Sequence, residues 1–205
     1  FTVIGVDIAP ELALSEQITP VEVDLTAAGG PSTVRQAVEE TGLPLLGLVN
    51  NAGIARDARL INMTDGDFRA VLKVNTGAAY RLSAELSPLM TEGASIVNLA
   101  SRAYLGNFGQ FNYSISKGAV VGLTRALALS LAPRVRVNAI APGLIGTEMA
   151  MAIPEDVLKK MISAIPLERM GTPDEIANVV WFLLTPLSSY ITGHVLVVGG
   201  GRSLS

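Results

Sequence analysis

The sequence predicts an α/β protein with a doubly wound parallel sheet, organised as a single domain over residues 1–205. Three observations predict this. Short apolar runs rich in β-branched residues alternate with longer helical patterns, which is the sequence form of repeated βα units. Nearly all of those runs are apolar at consecutive positions, as strands covered by helices on both faces must be. The 205-residue length suits one substantial core, and no repeat, linker or low-complexity tract marks a second domain.

The strands are read, in order, over FTVIGVD (1–7), VEVDL (21–25), LLGLVN (45–50), SIVNLA (95–100), VRVNAIA (135–141) and HVLVV (194–198). Between the first two, PELALSEQ (10–17) leaves room for at most a stub of helix. Thr64 with Asp67 resembles a capping box opening a helix that carries Phe68, Val71 and Leu72 inward. The pattern from about Asn112 to Leu131 predicts a long helix with a buried stripe through Val120, Leu123, Leu127 and Leu131. On it, Gly118 and Gly122 remove side chains, which suits close backbone packing. A shorter helix is expected over about 154–163, flanked by Met149, Met151 and Met161. Thr172, Pro173 and Glu175 supply an N-cap, an N1 proline and an N3 carboxylate before IANVVWFLL, with Trp181 expected at a buried helix interface.

Composition excludes several function classes. The chain has no cysteine, hence no disulfide or thiolate metal site, and its single histidine, His194, lies in a strand pattern where a structural role is expected. A net charge of -3 with no basic stripe argues against nucleic acid. No segment reaches the roughly 18 apolar residues of a membrane span and no basic n-region opens the chain, so a soluble, cytoplasmic protein is expected. With 49% hydrophobic and 16% charged residues, much surface must be buried or shared with further copies of the chain.

The stretch YSISK (113–117) carries the chemistry. Tyr113 and Lys117 stand four residues apart, so on a helix they share a face, and the cation could lower the pKa of the phenol. A phenol near its ordinary pKa of about 10 is a weak acid at neutral pH unless a cation stabilises its phenolate. Three further motifs stand in order around it: NNAG (50–53), VN (74–75) and PGLIGT (142–147), with Ser101 twelve positions before Tyr113.

With these motifs at these spacings, the chain resembles the short-chain dehydrogenase/reductase family over nearly its whole length. The resemblance implies a Rossmann-type fold and an enzyme that transfers hydride between a nicotinamide cofactor and a carbonyl or secondary alcohol. Tyr113 is then the general acid or base, Lys117 its cation and a holder of the nicotinamide ribose, and Ser101 a donor to the substrate oxyanion. Asn75 would hold a water that relays protons to Lys117. Asn51, Ala52 and Gly53 would approach the adenosine side of the cofactor, Asp24 the adenine edge, and Pro142, Gly143, Ile145 and Thr147 the nicotinamide carboxamide. Asp7, ending a strand, would bond the adenosine 2′- and 3′-hydroxyls and repel a 2′-phosphate, favouring NAD(H) over NADP(H).

Within the family, the stretches GNFGQFNYSISK and PLERMGTPDEIANVVWFLLTPLSSYITG look most like 3-oxoacyl-acyl-carrier-protein reductases, which implies an acyl-thioester or other small-molecule substrate. Asp7 tilts instead toward NAD-dependent dehydrogenases of sugars, polyols or cyclic alcohols, because the fatty-acid reductases generally take NADPH. A non-catalytic nucleotide-binding scaffold is the third reading. The family also implies a homodimer or homotetramer, formed through the tyrosine-bearing helix and the last strand. Two departures stand out. The family's glycine-rich phosphate loop after a first strand is not found, and that strand belongs between the runs at 1–7 and 45–50. The expectation is therefore that the 205 residues lack that strand and the start of its helix, roughly 30 residues by the size of a βαβ unit. Gly199 also stands where many members have aspartate.

Overall fold

The structure, a computed structural model, describes residues 1–9, 18–151 and 153–204, with the backbone alone at 148 and 149. The run PELALSEQ lies outside the described residues. The elements are β1 (Val3–Asp7), β2 (Ile18–Glu22), α1 (Gly30–Glu40), β3 (Leu45–Asn50), α2 (Asp65–Leu72), α3 (Ala79–Leu86), β4 (Met90–Leu99), α4 (Phe111–Leu131), β5 (Val135–Pro142), α5 (Glu148–Met151), α6 (Glu155–Ser163), α7 (Pro173–Leu184) and β6 (Val195–Val198). A π-helical turn, Lys73–Ala78, joins α2 to α3.

All paired strands are parallel, in the orders β1-β2 and β3-β4-β5-β6. Side chains of β4 and β5 alternate between two cores, as the two-residue period of a strand requires. Ala94, Ile96, Val135 and Val137 face Val34 and Val38 of α1 with Leu82 and Leu86 of α3. Val97, Leu99 and Ile140 face Leu183 of α7 on the other side. Helices thus cover both faces of a parallel sheet, as the sequence predicts.

Among the described residues the sheet is divided in two. Among the described residues β1 pairs only with β2, and β3 only with β4. Between them lies a cavity of about 730 Å³, walled by Val3, Ile4, Val6, Leu46 and Leu48 and floored by Leu82. The β1–β2 unit is held by other means. Ile4, Val6, Val23 and Leu25 pack on the α1–α3 core. Arg81 of α3 donates to the carbonyls of Leu25, Thr26, Ala27 and Ala28 at 3.4, 3.1, 2.6 and 2.9 Å.

Several boundaries and faces differ from the sequence reading, each for an identifiable reason. β2 lies N-terminal of the expected VEVDL run because the chain turns at Asp24, whose carboxylate accepts from Thr26 N at 2.7 Å. β4 starts at Met90, ahead of the expected 95, because a register shift between Leu45 and Gly47 admits the polar residues that follow. α4 buries Ser116, Lys117, Val120, Val121, Thr124 and Ala128, while Leu127 and Leu131 of the expected stripe are only partly covered. Trp181 is 54% exposed, which corrects the expected burial. α7 turns Ile176, Val179, Val180 and Leu183 to the sheet, and that three-and-four spacing puts Trp181 on the outer face. A Cβ at Gly118 or Gly122 would meet nothing within 4 Å, so no backbone within the chain packs against them.

Candidate active site

Ser101, Tyr113 and Lys117 come together where the end of β4 meets the start of α4. Ser101 follows β4 and N-caps a 3₁₀ turn, accepting from Ala103 N at 3.2 Å. Tyr113 sits in the first turn of α4, and Lys117 lies one turn on, its Nζ 5.6 Å from the Tyr113 ring centroid. The Lys117 ammonium donates to the carbonyl of Leu99, the last residue of β4, at 2.7 Å.

The electrostatics differ from the sequence reading. The expected lowering of the phenol by its lysine is not what dominates: burial raises the Tyr113 phenol, the Ser101 hydroxyl works in the lowering direction, and Asp57 raises it further. Burial also lowers the Lys117 ammonium to about 8. The physical reason is that both groups are withdrawn from water together, and desolvation disfavours the charged form of each. The Ser101 hydroxyl favours the phenolate.

Asn75 lies in the π-helical turn and is buried. Its Nδ2 donates to the Ile54 carbonyl and to Ser116 Oγ, both at 3.0 Å, and its Oδ1 accepts from Ile54 N at 2.8 Å. Both amide hydrogens are therefore committed to protein, so the side chain braces the segment after NNAG against α4.

The expected cofactor residues form two groups. Asp7, Asp24, Asn51, Ala52 and Gly53 line one end of the cavity between the sheets. The Asp7 carboxylate accepts from Ala9 N at 3.0 Å, and hydrogen bonds from Thr26 lower the pKa of Asp24. Pro142, Gly143, Ile145 and Thr147 do not line that cavity. They end β5 and enter a loop pinned to a neighbouring segment, with Gly146 N donating to Gly171 O and Gly171 N to Leu144 O at 2.9 and 3.0 Å. A Cβ at Gly143 would lie 2.7 Å from the Gly199 Cα, so the close approach of these backbones requires glycine at 143. Gly199 thus belongs to a backbone contact beside this loop.

Two polar groups were missed from the sequence. Asn112, fully buried next to Tyr113, donates to the Arg56 carbonyl at 2.9 Å, and its Oδ1 accepts from Tyr113 N at 2.7 Å. It ties the segment after NNAG to the start of α4; an asparagine at a helix start was the available signal. Asn50, first residue of NNAG, donates to Ser83 Oγ and Asn98 Oδ1 at 3.0 and 2.8 Å, and Asn98 donates to Thr124 Oγ1 at 2.9 Å. That buried chain links β3, α3, β4 and α4, and with every member bonded it rigidifies the sheet end that carries the site.

Met151 is exposed and Met161 half-buried, while the Met149 side chain lies outside the described residues. His194 enters the sheet through its backbone, its N donating to Asn138 Oδ1 at 3.1 Å. Among the described residues no group of three or more His, Asp or Glu side chains could hold a metal ion. No helix among them is long and apolar enough to cross a membrane.

The family model described as "Enoyl-(Acyl carrier protein) reductase" matches residues 6–203. The chain is 45% identical over 158 residues to the "3-oxoacyl-[acyl-carrier-protein] reductase FabG" of Thermotoga maritima, covering 75% of this chain and 64% of that protein. It is 46% identical over 164 residues to the "Acetoacetyl-CoA reductase" of a Synechocystis species, covering 78% and 68%. A crystal structure of a short chain dehydrogenase family protein from Francisella tularensis superposes with a TM-score of 0.90 at 28% identity, covering 100% of this chain and 88% of that one. The short-chain dehydrogenase/reductase of Brucella melitensis matches with a TM-score of 0.86 at 36% identity, covering 91% and 77%. Order of motifs, doubly wound architecture and these matches agree, and the chain belongs to the short-chain dehydrogenase/reductase family.

Proposed function

We propose that this chain is an oxidoreductase that transfers hydride between NAD(H) and a carbonyl or secondary alcohol, with a 3-oxoacyl thioester as the substrate class. The observation that carries this reading is the convergence of the Ser101 hydroxyl, the Tyr113 phenol and the Lys117 ammonium at one end of the sheet. Burial keeps the phenol protonated at neutral pH, the Ser101 hydroxyl and the Lys117 ammonium beside it can stabilise the phenolate left once the proton is given up, and that hydroxyl can bond the same carbonyl oxygen. The donors and small residues fit a nicotinamide dinucleotide: Lys117 offers ammonium hydrogens, Ala52 and Gly53 leave backbone exposed, and Asp7 presents a carboxylate at the cavity rim. When bound, the cofactor supplies or accepts the hydride. Tyr113 delivers or removes the proton, Ser101 orients the oxygen, Lys117 supports the phenolate, and Asn75 holds the surrounding backbone.

Asp7 favours a second reading, an NAD-dependent dehydrogenase of sugars, polyols or cyclic alcohols, because a carboxylate at this position repels a 2′-phosphate. A panel of β-ketoacyl thioesters, sugars and cyclic alcohols assayed with NADH and NAD, then with the phosphorylated cofactors, decides between them. Turnover of the thioesters with NADH is expected. A clear preference for NADPH contradicts the role given to Asp7.

The strand expected between residues 1–7 and 45–50 belongs to the same reading. Its support is the pair of strand edges left unpaired among the described residues and the apolar walls of the cavity between them, which a parallel strand would cover. The open outer face of α4 at Gly118 and Gly122, with Leu129 exposed, supports a homodimer or homotetramer. Native mass spectrometry of the active protein tests both. A subunit heavier than 21.4 kDa in two or four copies is expected, and full activity in a 21.4 kDa monomer contradicts both.

A further inference from the structure

The Ser116 side chain is fully buried, one residue before Lys117. Its hydroxyl donates to the Tyr113 carbonyl at 2.8 Å, one turn back along α4, and that bond takes its only proton. Toward Asn75 the same oxygen can act only as an acceptor, and it receives an amide hydrogen from Nδ2 at 3.0 Å. With Nδ2 held on the Ser116 side, Oδ1 accepts from Ile54 N at 2.8 Å and has a second lone pair. That oxygen lies toward Gly53, where a Cβ would stand 3.4 Å from Asn75 Oδ1 and 3.5 Å from Lys117 Nζ. The carboxamide oxygen and the ammonium therefore border one small space that the glycine leaves open.

We propose that Ser116 is a positioning residue: acting through Asn75, it keeps a hydrogen-bond acceptor facing the Lys117 ammonium. The inference rests on reading Tyr113 and Lys117 as the catalytic pair. Ile54 holds the same orientation through its backbone, so Ser116 is the lock that a substitution can remove. Without its oxygen, one Nδ2 hydrogen is left unpartnered in a buried site, and the carboxamide, held by Ile54 alone, can tilt so that Oδ1 moves off the ammonium. Losing an acceptor there disfavours the charged lysine, in the same direction as burial.

The test is Ser116→Ala in the active protein, read by NMR titration of the Lys117 side chain and by the pH profile of kcat. The Lys117 titration is expected to move by about half a pH unit or more to lower pH, and the alkaline limb of kcat with it. At neutral pH kcat should fall roughly three- to tenfold, with KM within about twofold of the parent. Ser116→Cys keeps the volume with a weaker acceptor, so it should lie between the two and carries the test should the alanine variant not fold. A Lys117 titration unchanged in a folded variant overturns the proposal. Tyr113→Phe separates the two claims: retained turnover there defeats the catalytic reading, while the Lys117 titration still judges Ser116 by itself.

Discussion

Lys117 is charged in the unfolded chain up to a pH near 10.5, but in the folded protein only up to about 8. Between those values the unfolded chain binds more protons, so stability rises with pH across that window; below it the cost of burying the charge is fully present. That cost is on the order of 3 kcal/mol. Lys117→Met should therefore melt higher than the parent at pH 7, with the gap closing as pH rises from about 8 toward 10. Thermal unfolding of both proteins across that range checks this, and a gap independent of pH would count against it. The range stops at 10 because burial also raises the Tyr113 phenol, which adds an opposite slope above its ordinary value. Tyr113 and Lys117 were legible in the sequence because their spacing alone brings them together. Asn112 and Arg81 were not, since their partners at Arg56 and at Leu25 to Ala28 are brought near only by the fold.

Helix α7 shows how far an element can be read from local chemistry. Thr172 Oγ1 accepts from Glu175 N at 3.2 Å, and the Glu175 carboxylate accepts from Thr172 N at 2.8 Å, the reciprocal pair expected of this sequence. Arg169 reaches the same carboxylate at 2.7 Å, and Glu175 is held down to about 2 chiefly by that contact. Thr172→Ala should lower unfolding stability by about 1 kcal/mol in urea titrations; no change would mean the cap is redundant with the arginine. The same helix also marks the limit. Its length and start follow from cap and period, whereas the exposure of Trp181 depends on which face the sheet selects. β4 was misjudged at its start for a similar reason, because its polar first residues are accommodated by a register shift in a neighbouring strand.

At the scale of the whole molecule, the alternating apolar runs were enough to predict the layered α/β fold, and all six strands form close to where they were read. The order of the strands was not readable from period or composition, and the family resemblance supplied only the place of one further strand. Among the described residues the sheet is divided beside the cavity, and a further strand there belongs to the proposed reading. Site and scaffold are joined by buried amides, since Asn75, Asn98 and Asn112 each link elements distant in sequence. Such links place the reacting groups on rigid elements, where small displacements are costly to rate.

The central claim is that the Tyr113 hydroxyl is the proton donor of a hydride-transfer reaction. Single-turnover reduction of a 3-oxoacyl thioester by NADH, compared between the parent and Tyr113→Phe, tests it most directly, with cofactor affinity measured alongside. The account predicts a loss of about 10²-fold or more in the reduction step with cofactor affinity within about twofold. A phenylalanine variant that reduces the substrate at the parental rate would contradict it.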